Sequence, residues 1–406
     1  MKKFIMYGAG NIGRGFIGQL FSESDYSVGF VDINKQVIEK LNSDREYPVD
    51  VVTSEKIEEH IVKNVYGIDG TDLELVSNEI ASADVMATAI GVNVLKFIAK
   101  PISLGLKKRF LNNAKPLNII ICENLIGADS YLKGLIKNEL PEFEKEIDEK
   151  VGFVEASIGR MVPMLPEEKK QGNFLRVFVE PYNILPVDKD AFKGEIPSDV
   201  KNLYPFTPFS LYIERKLYMH NMSHATCAYL GNLRNYEYIY EAVADYDIRY
   251  VAYRALMQSA LALSIEHKVD IKPLLEHAEN LLYRFQNTAL ADPVSRVGKD
   301  TIRKLSENDR LIGALKLCEK HSVSCEILCV AIASAMLFNP DGDDRSQELY
   351  NYAKENGAIK TLEKYSNYTG EKAKLIEELF NMLKDGKSIS SLISYCDDLC
   401  GQKIRV

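Results

Sequence analysis

The stretch Lys3-Phe4-Ile5-Met6-Tyr7-Gly8-Ala9-Gly10-Asn11-Ile12-Gly13-Arg14-Gly15-Phe16-Ile17-Gly18 decides how the first half of this chain is read. Lys3–Tyr7 has the apolar and aromatic character of a buried strand, and Ile12–Phe21 has that of a helix. Between them, Gly8, Ala9, Gly10, Asn11, Ile12 and Gly13 fit the pattern G-x-G-x-x-G. Alone the pattern is weak. It gains force because a strand precedes it and a helix opens from it. The first glycine allows a tight turn, the second lets the backbone approach a pyrophosphate, and the third lets the helix lie against the strand. The new helix aims its unpaired amides at the phosphates. A second strand, Val28–Asp32, ends at Asp32, 24 residues beyond Gly8. An acid there is expected to hold the adenosine ribose hydroxyls and to repel a 2′-phosphate, which favours NAD over NADP. Arg14 is open to two readings, a phosphate contact or a solvent-facing side chain.

Outward from this turn the first half alternates. Lys35–Leu41 reads as a helix, Val49–Thr53 and Ile61–Tyr66 as strands, Val85–Ile90 as a short apolar strand, Val94 to about Phe110 as a helix, and Leu117–Cys122 as a strongly apolar strand. Val151–Ala156 and Phe174–Val179 add two strand candidates. Short buried strands alternating with helices predict βαβ units on a mostly parallel sheet. Thr88-Ala89-Ile90-Gly91 closes one strand at the carboxyl edge, the expected place of the nicotinamide half. Pro186, Pro197, Pro205 and Pro208 mark residues 183–208 as the domain junction. Beyond it, helices are predicted over Glu241–His267, Leu274–Gln286, Asp300–Lys320, Ser322–Phe338, Ser346–Glu355, Gly370–Lys384 and Ser388–Cys400. The fold expectation is α/β plus all-α: a Rossmann-type, doubly wound NAD-binding domain over residues 1–200, then a mainly helical substrate-binding and catalytic domain over 201–406.

Composition limits the partners. The 406 residues are 46% hydrophobic and 27% charged, with 50 Lys and Arg against 58 Asp and Glu, a net charge of −8. This argues against general electrostatic binding to nucleic acid or an anionic membrane, while leaving room for a local basic site. No apolar run approaches the roughly 18 residues of a membrane span. The odd count of 7 cysteines, with no secretory signal read at the start, points to reduced thiols in a cytoplasmic protein. Cys318, His321, Cys325 and Cys329 raise the question of zinc. They lack the paired knuckles of a structural site, and core packing is the favoured reading. The oligomeric state stays open, a monomer included.

Chemistry is sought near the junction, in Glu214-Arg215-Lys216-Leu217-Tyr218-Met219-His220-Asn221-Met222-Ser223-His224. On a helix, Asn221 and His224 share a face, whereas Lys216 is offset from Asn221 by roughly 140° and needs an irregular first turn, or its long side chain must reach around. Oxidising an alcohol requires a base for the hydroxyl proton. A lysine serves when burial and neighbouring positive charge lower its pKa towards about 7–8. Neutral amides suit the developing oxyanion, and Asn124, just after an apolar strand in Cys122-Glu123-Asn124, stands with Asn221 as a candidate pair. His224 would orient the lysine or the substrate oxygen. Read in isolation, Lys216 is more readily a surface lysine and His224 a satisfied core histidine.

These motifs resemble the polyol-specific long-chain dehydrogenases, at the branch that acts on mannitol 1-phosphate. The resemblance runs from the glycine turn through Thr88-Ala89-Ile90-Gly91, Cys122-Glu123-Asn124, Val151-Gly152-Phe153-Val154, Glu214-Arg215-Lys216-Leu217, Ala228-Tyr229-Leu230-Gly231 and Arg303-Lys304-Leu305-Ser306. The family's Lys-x4-Asn-x2-His signature falls on Lys216, Asn221 and His224. The resemblance implies Lys216 as general base, Asn124 and Asn221 as the oxyanion hole, His224 assisting, and no metal. It implies NAD-linked interconversion of mannitol 1-phosphate and fructose 6-phosphate. A hexuronate (tagaturonate or fructuronate) reductase or a free-polyol 2-dehydrogenase is the alternative within the family, and a non-catalytic NAD-sensing protein the alternative outside it. One departure stands out: Gly159, in Ser157-Ile158-Gly159-Arg160, occupies a position where the family typically has Asp.

A phosphorylated sugar or polyol needs a cationic contact. Residues 296–310 hold Arg296, Lys299, Arg303, Lys304 and Arg310 against Asp300, Glu307 and Asp309. Arg303 and Arg310, seven apart, would share a helix face, and arginine suits phosphate through its planar fork. The resemblance adds Arg296 and Lys304, eight apart, as substrate contacts. The bland reading is a solvated helix whose bases pair with its own acids.

Overall fold

The computed structural model describes residues 1–163 and 167–404, with side chains described through residue 399. The chain divides into two compact units, Met1–Tyr212 and Ile213–Val406.

The strands of the first unit are β1 (Lys2–Tyr7), β2 (Tyr26–Asp32), β3 (Glu46–Val52), β4 (Ile57–Lys63), β5 (Val65–Asp69), β6 (Val85–Thr88), β7 (Leu117–Ile121), β8 (Val151–Glu155), β9 (Val177–Val179), β10 (Leu185–Asp188) and β11 (Leu203–Phe206). Six form one sheet in the order β5-β2-β1-β6-β7-β8, every pair parallel. Successive side chains of a strand point to opposite faces, and β1 shows it. Phe4 and Met6 enter one core with Phe16, Ile17 and Phe30, while Ile5 and Tyr7 enter another with Met86, Ile98 and Ile119. A sheet buried on both faces needs continuous apolar strands, and Leu-Asn-Ile-Ile-Ile of β7 is buried at every position. Chain order reverses between β2 and β6 on either side of β1, which puts the ligand crevice of this fold at the carboxyl end of β1.

The helix after β1 contains Gly13, Gly15 and Gly18, each about 1 kcal/mol worse than alanine in a helix. Phe16, Ile17, Leu20 and Phe21 are at most 4% exposed. Their burial contributes about 1.5–3 kcal/mol apiece and outweighs the glycines. Residues Gly13–Gly18 form a π-helical turn before the α-helix resumes at Gln19.

Several sequence expectations are corrected here. Ile61–Tyr66 is two strands. Asn64 adopts a left-handed conformation, φ 57°, and separates β4 from β5. β4 pairs antiparallel with β3 in a second sheet ordered β4-β3-β9, and β5 joins the parallel sheet. Residues 183–208 hold the parallel pair β10–β11, and Leu185, Val187 and Val200 are buried in the same core as Phe4. The segment is therefore part of the first unit. Helices Leu73–Ala81, Ala128–Glu139 and Glu144–Lys150 add to those expected.

The second unit is helical, with no strand among its described residues. Tyr246–His267 and the wholly buried Glu326–Ala335 are central helices, the latter packing on Ala373–Lys384 and Met222–Leu233. Asp245 caps Tyr246–His267 through the amides of Asp247 and Ile248, so the expected long helix from Glu241 is broken there. The expected helix Asp300–Lys320 is broken as well. Asp300 is left-handed (φ 62°), Thr301–Lys304 forms a single turn, and the chain turns helical again only at Ile312–Lys320. Asp344–Ser366 extends well past the expected end, through a kink at Gly357. Among the described residues no helix is long and apolar enough to cross a membrane.

Candidate active site

At the glycine turn, Gly8 has φ +104°, and a Cβ built on it would lie 2.5 Å from the Ala89 carbonyl oxygen. A Cβ on Gly13 would lie 2.1 Å from the Gly8 oxygen. Both positions exclude any side chain. Gly10 differs: it is exposed, and a Cβ there meets nothing within 4 Å, so backbone faces open space. The Arg14 amide donates to the Gly10 carbonyl (2.9 Å), which makes Gly10 the cap and leaves the Asn11, Ile12 and Gly13 amides without a carbonyl inside the helix. A pyrophosphate fits such a cradle. Asp32 Oδ2 accepts from the Ala9 amide (2.8 Å) and Oδ1 from the Asn34 amide (2.9 Å). Each oxygen keeps acceptor capacity for a ribose hydroxyl. Arg14 satisfies neither expectation. It is buried, with Nε donating to the Leu175 carbonyl (3.1 Å) and Nη1 to the Ala9 carbonyl, so it braces the turn from behind.

Beside this turn, the Ala89 amide donates to the Tyr7 carbonyl (2.9 Å), and Thr88 Oγ1 is buried without a hydrogen-bond partner. Glu123 is the residue the sequence reading passed over. Its carboxylate accepts from the amides of Ile90 (3.0 Å) and Gly91 (2.8 Å) and fixes the Thr88–Gly91 loop. The signal was its position two residues after β7, directly before Asn124. Asn124 itself is exposed on that carboxyl edge. Near Gly159, Arg160 donates to the carbonyls of Glu180 (2.9 Å) and Gly15 (3.0 Å) and to Gln19 Oε1 (2.8 Å). Burial pushes its pKa down to about 10. A Cβ on Gly159 would meet the Tyr182 ring at 3.2 Å, so Tyr182 occupies the space a side chain would enter.

In the second unit, Lys216–Asn221 is a π-helical turn, followed directly by the α-helix Met222–Leu233. In an α-helix residues five apart diverge, but a π-turn closes i→i+5. The irregular turn that Lys216 required is present, and its i→i+5 closure puts Lys216 and Asn221 one turn apart on the same side of the helix. Asn221 and His224 are then i, i+3 neighbours. Lys216 and Asn221 are half-buried. The His224 ring lies parallel to Phe285, 4.7 Å between centroids and 14° between planes. Its Nε2 is 3.3 Å from Asp292 Oδ2, without hydrogen-bond alignment. His220 is buried beneath. Burial first, then the charges of Arg284, His224, His277 and Lys216, hold it well below the ordinary histidine range.

The basic run is more engaged than its sequence suggested. Arg296 donates from Nε to Asp292 Oδ1 (2.7 Å), with its side chain 61% exposed. Lys304 is buried, its ammonium donating to the carbonyls of Val297 and Lys299. Burial, then Arg310 and Arg303, push its pKa down to about 7. Arg303 is exposed and pairs with Asp300 (3.0 Å) and Asp309 (3.5 Å), and Arg310 pairs with Asp309 (2.7 Å). The broken helix removes the common face expected for Arg303 and Arg310. For these two the reading as bases paired with local acids describes the geometry.

Cys318, Cys325 and Cys329 are at most 1% exposed, and His321 Nε2 bonds Glu266 Oε2 (2.6 Å). Among the described residues no three His, Cys, Asp or Glu side chains gather as a metal site. The Cys400 side chain lies outside the described residues.

Two family models cover the chain: the mannitol dehydrogenase Rossmann domain over residues 2–199 and the mannitol dehydrogenase C-terminal domain over 209–394. A mannitol-1-phosphate 5-dehydrogenase from Thermoanaerobacter pseudethanolicus is 35% identical, across 95% of this chain and 98% of the relative. One from Clostridium acetobutylicum is 36% identical, across 97% of both. Among solved structures, a D-sorbitol dehydrogenase in substrate-free form superposes with a TM-score of 0.80 at 15% identity, covering 96% of this chain and 94% of that one. Pseudomonas fluorescens mannitol 2-dehydrogenase, in complex with NAD and D-mannitol, superposes with 0.72 at 15%, covering 97% and 94%. These two likenesses concern the fold. On the family models and the full-length relatives together, the chain belongs to the mannitol dehydrogenase family.

Proposed function

We propose that this chain is an NAD-dependent polyol dehydrogenase that interconverts mannitol 1-phosphate and fructose 6-phosphate. The observation that carries the substrate assignment is the likeness, over nearly the whole chain, to relatives named mannitol-1-phosphate 5-dehydrogenase. NAD is supported by the open backbone at Gly10, the capping amides of Asn11 to Gly13, and a carboxylate at Asp32 with acceptor capacity to spare. When bound, NAD supplies the hydride acceptor at nicotinamide C4.

The remaining steps belong to the side chains. Neutral Lys216 takes the hydroxyl proton of the substrate onto Nζ as the carbinol carbon is oxidised. In the reverse direction it returns that proton to the oxygen. Asn221, one π-turn from Lys216, donates an amide N–H to the oxygen as charge develops there, and Asn124 is assigned as a second amide donor. His224 is assigned to orient the lysine or the substrate oxygen. Arg296 is assigned to the substrate phosphate, with Lys304 behind it, while Arg303 stays paired with Asp300 and Asp309. Arginine matches phosphate through two parallel N–H donors.

The test is a substrate panel run with NADH and with NADPH: fructose 6-phosphate, fructose, tagaturonate and fructuronate. The reading expects turnover with fructose 6-phosphate and NADH to exceed every other combination. Turnover of fructose without fructose 6-phosphate would give the reaction to a free polyol, and preference for a hexuronate would give it to a hexuronate reductase.

A further inference from the structure

Asp292 lies 68 residues beyond His224, outside every motif the sequence singled out. In the fold its carboxylate, 11% exposed, stands between two residues of the proposed machinery. Oδ2 is 3.3 Å from His224 Nε2, and Oδ1 accepts from Arg296 Nε at 2.7 Å. Its backbone is held too: the Asp292 carbonyl accepts from the Ile239 amide (3.0 Å), directly after the left-handed Ala291 (φ 42°). The far face of the His224 ring is fixed by Phe285. Burial would raise the Asp292 carboxyl, but the His224 and Arg296 contacts prevail and hold it below the ordinary carboxylate range.

Two facts set what this carboxylate can do. His224 Nε2 is buried and without another hydrogen-bond partner, so its pairing is decided by Asp292. A neutral imidazole donates from one nitrogen and accepts at the other, and the partner of the first fixes the tautomer. From this, and resting on the roles given above to Lys216 and His224, we infer that Asp292 is a positioning residue which holds His224 in the Nε2–H tautomer. Nδ1 is thereby left as an acceptor, for an N–H of the Lys216 amine or for a substrate O–H, and not as a donor to the carbonyl oxygen. The same carboxylate parks Arg296, whose exposed guanidinium can leave Asp292 for an anionic substrate group. Once Arg296 has left, Asp292 turns its charge wholly onto His224, and the 3.3 Å contact closes into an aligned hydrogen bond. Hydrogen bonds of catalytic groups commonly tighten in this way when ligand binds.

The test is a double-mutant cycle with fructose 6-phosphate and NADH. Asp292→Asn keeps the volume and loses the acceptor charge. It is expected to lower kcat on the order of tenfold or more with KM for NADH unchanged. In a His224→Asn background the same substitution is expected to change kcat less than about twofold, because coupled residues are non-additive. Equal losses in both backgrounds, or a wild-type kcat for Asp292→Asn, would overturn the inference. Should Asp292→Asn fail to accumulate as folded protein, ¹⁵N-histidine spectra of the wild-type protein decide, with the His224 signal identified by its loss in His224→Asn. The Nε2–H tautomer is expected, and the Nδ1–H tautomer contradicts it. Lys216→Ala in the same assay separates the two levels. If it keeps wild-type turnover, the proposed function is at fault; if it is inactive while Asp292→Asn is normal, only the inference is.

Discussion

The two π-helical turns, Gly13–Gly18 in the first unit and Lys216–Asn221 in the second, have the same geometry and opposite causes. The first depends on three positions without side chains. Gly13 sits where a Cβ would strike the Gly8 carbonyl oxygen, Gly15 and Gly18 pack against Val179 and Phe30, and the backbone that faces open space lies just before the turn, at Gly10. The second keeps its side chains, and its geometry selects which of them share a face. One site is built by leaving atoms out, the other by where it sets an amine, an amide and an imidazole. The first should therefore break on any added atom, the second on loss of a functional group at nearly constant shape.

Asn221→Ala should leave thermal stability within about 0.5 kcal/mol of wild type and lower kcat by roughly 10²–10³-fold, the usual cost of an oxyanion donor. A loss confined to stability would mean the second turn is structural. In the first turn, Gly13→Ala should destabilise the protein by about 1–3 kcal/mol through overpacking and abolish NADH binding measured by fluorescence. Gly10→Ala, whose Cβ enters open space, should leave the melting temperature unchanged while weakening NADH by about tenfold or more. If both substitutions behaved alike, the division between a packing glycine and a ligand-facing glycine would be wrong. A milder effect is expected at Lys304. Its pKa is pushed down to about 7, chiefly by burial, so the ammonium is charged below that pH and neutral above it. Affinity for an anionic substrate depends on the charged form. KM for fructose 6-phosphate should therefore rise severalfold as pH increases through about 7, and this rise should vanish in Lys304→Arg. A flat KM profile in the wild type would remove Lys304 from the phosphate site.

The first unit was legible because its strands are buried on both faces. β1, β2, β6, β7 and β8 read as short apolar runs, and the glycine turn, Asp32 and the carboxyl-edge loops could be placed from them. What escaped were single-residue backbone events: the left-handed Asn64 that divides β4 from β5, Asp300 and the turns before Ile312 that dissolve a predicted helix, and Gly357. Propensity summed over a window does not register one residue at positive φ. Long-range pairing escaped for a different reason. Nothing near Arg14 in sequence announces Leu175, and nothing near His224 announces Asp292. The Lys216–Asn221 spacing lay between these cases: it left a choice between an irregular turn and a side chain reaching around a regular one, and the fold has the irregular turn.

The central claim is that the Lys216 amine, one turn from Asn221, is the base. It is tested most directly by Lys216→Ala, assayed with saturating fructose 6-phosphate and NADH, with and without added methylamine. If Lys216 is the base, NADH binding is unchanged, kcat falls roughly 10²–10⁴-fold, and activity recovers in part with the free-amine concentration. Turnover at the wild-type rate, without added amine, would contradict it.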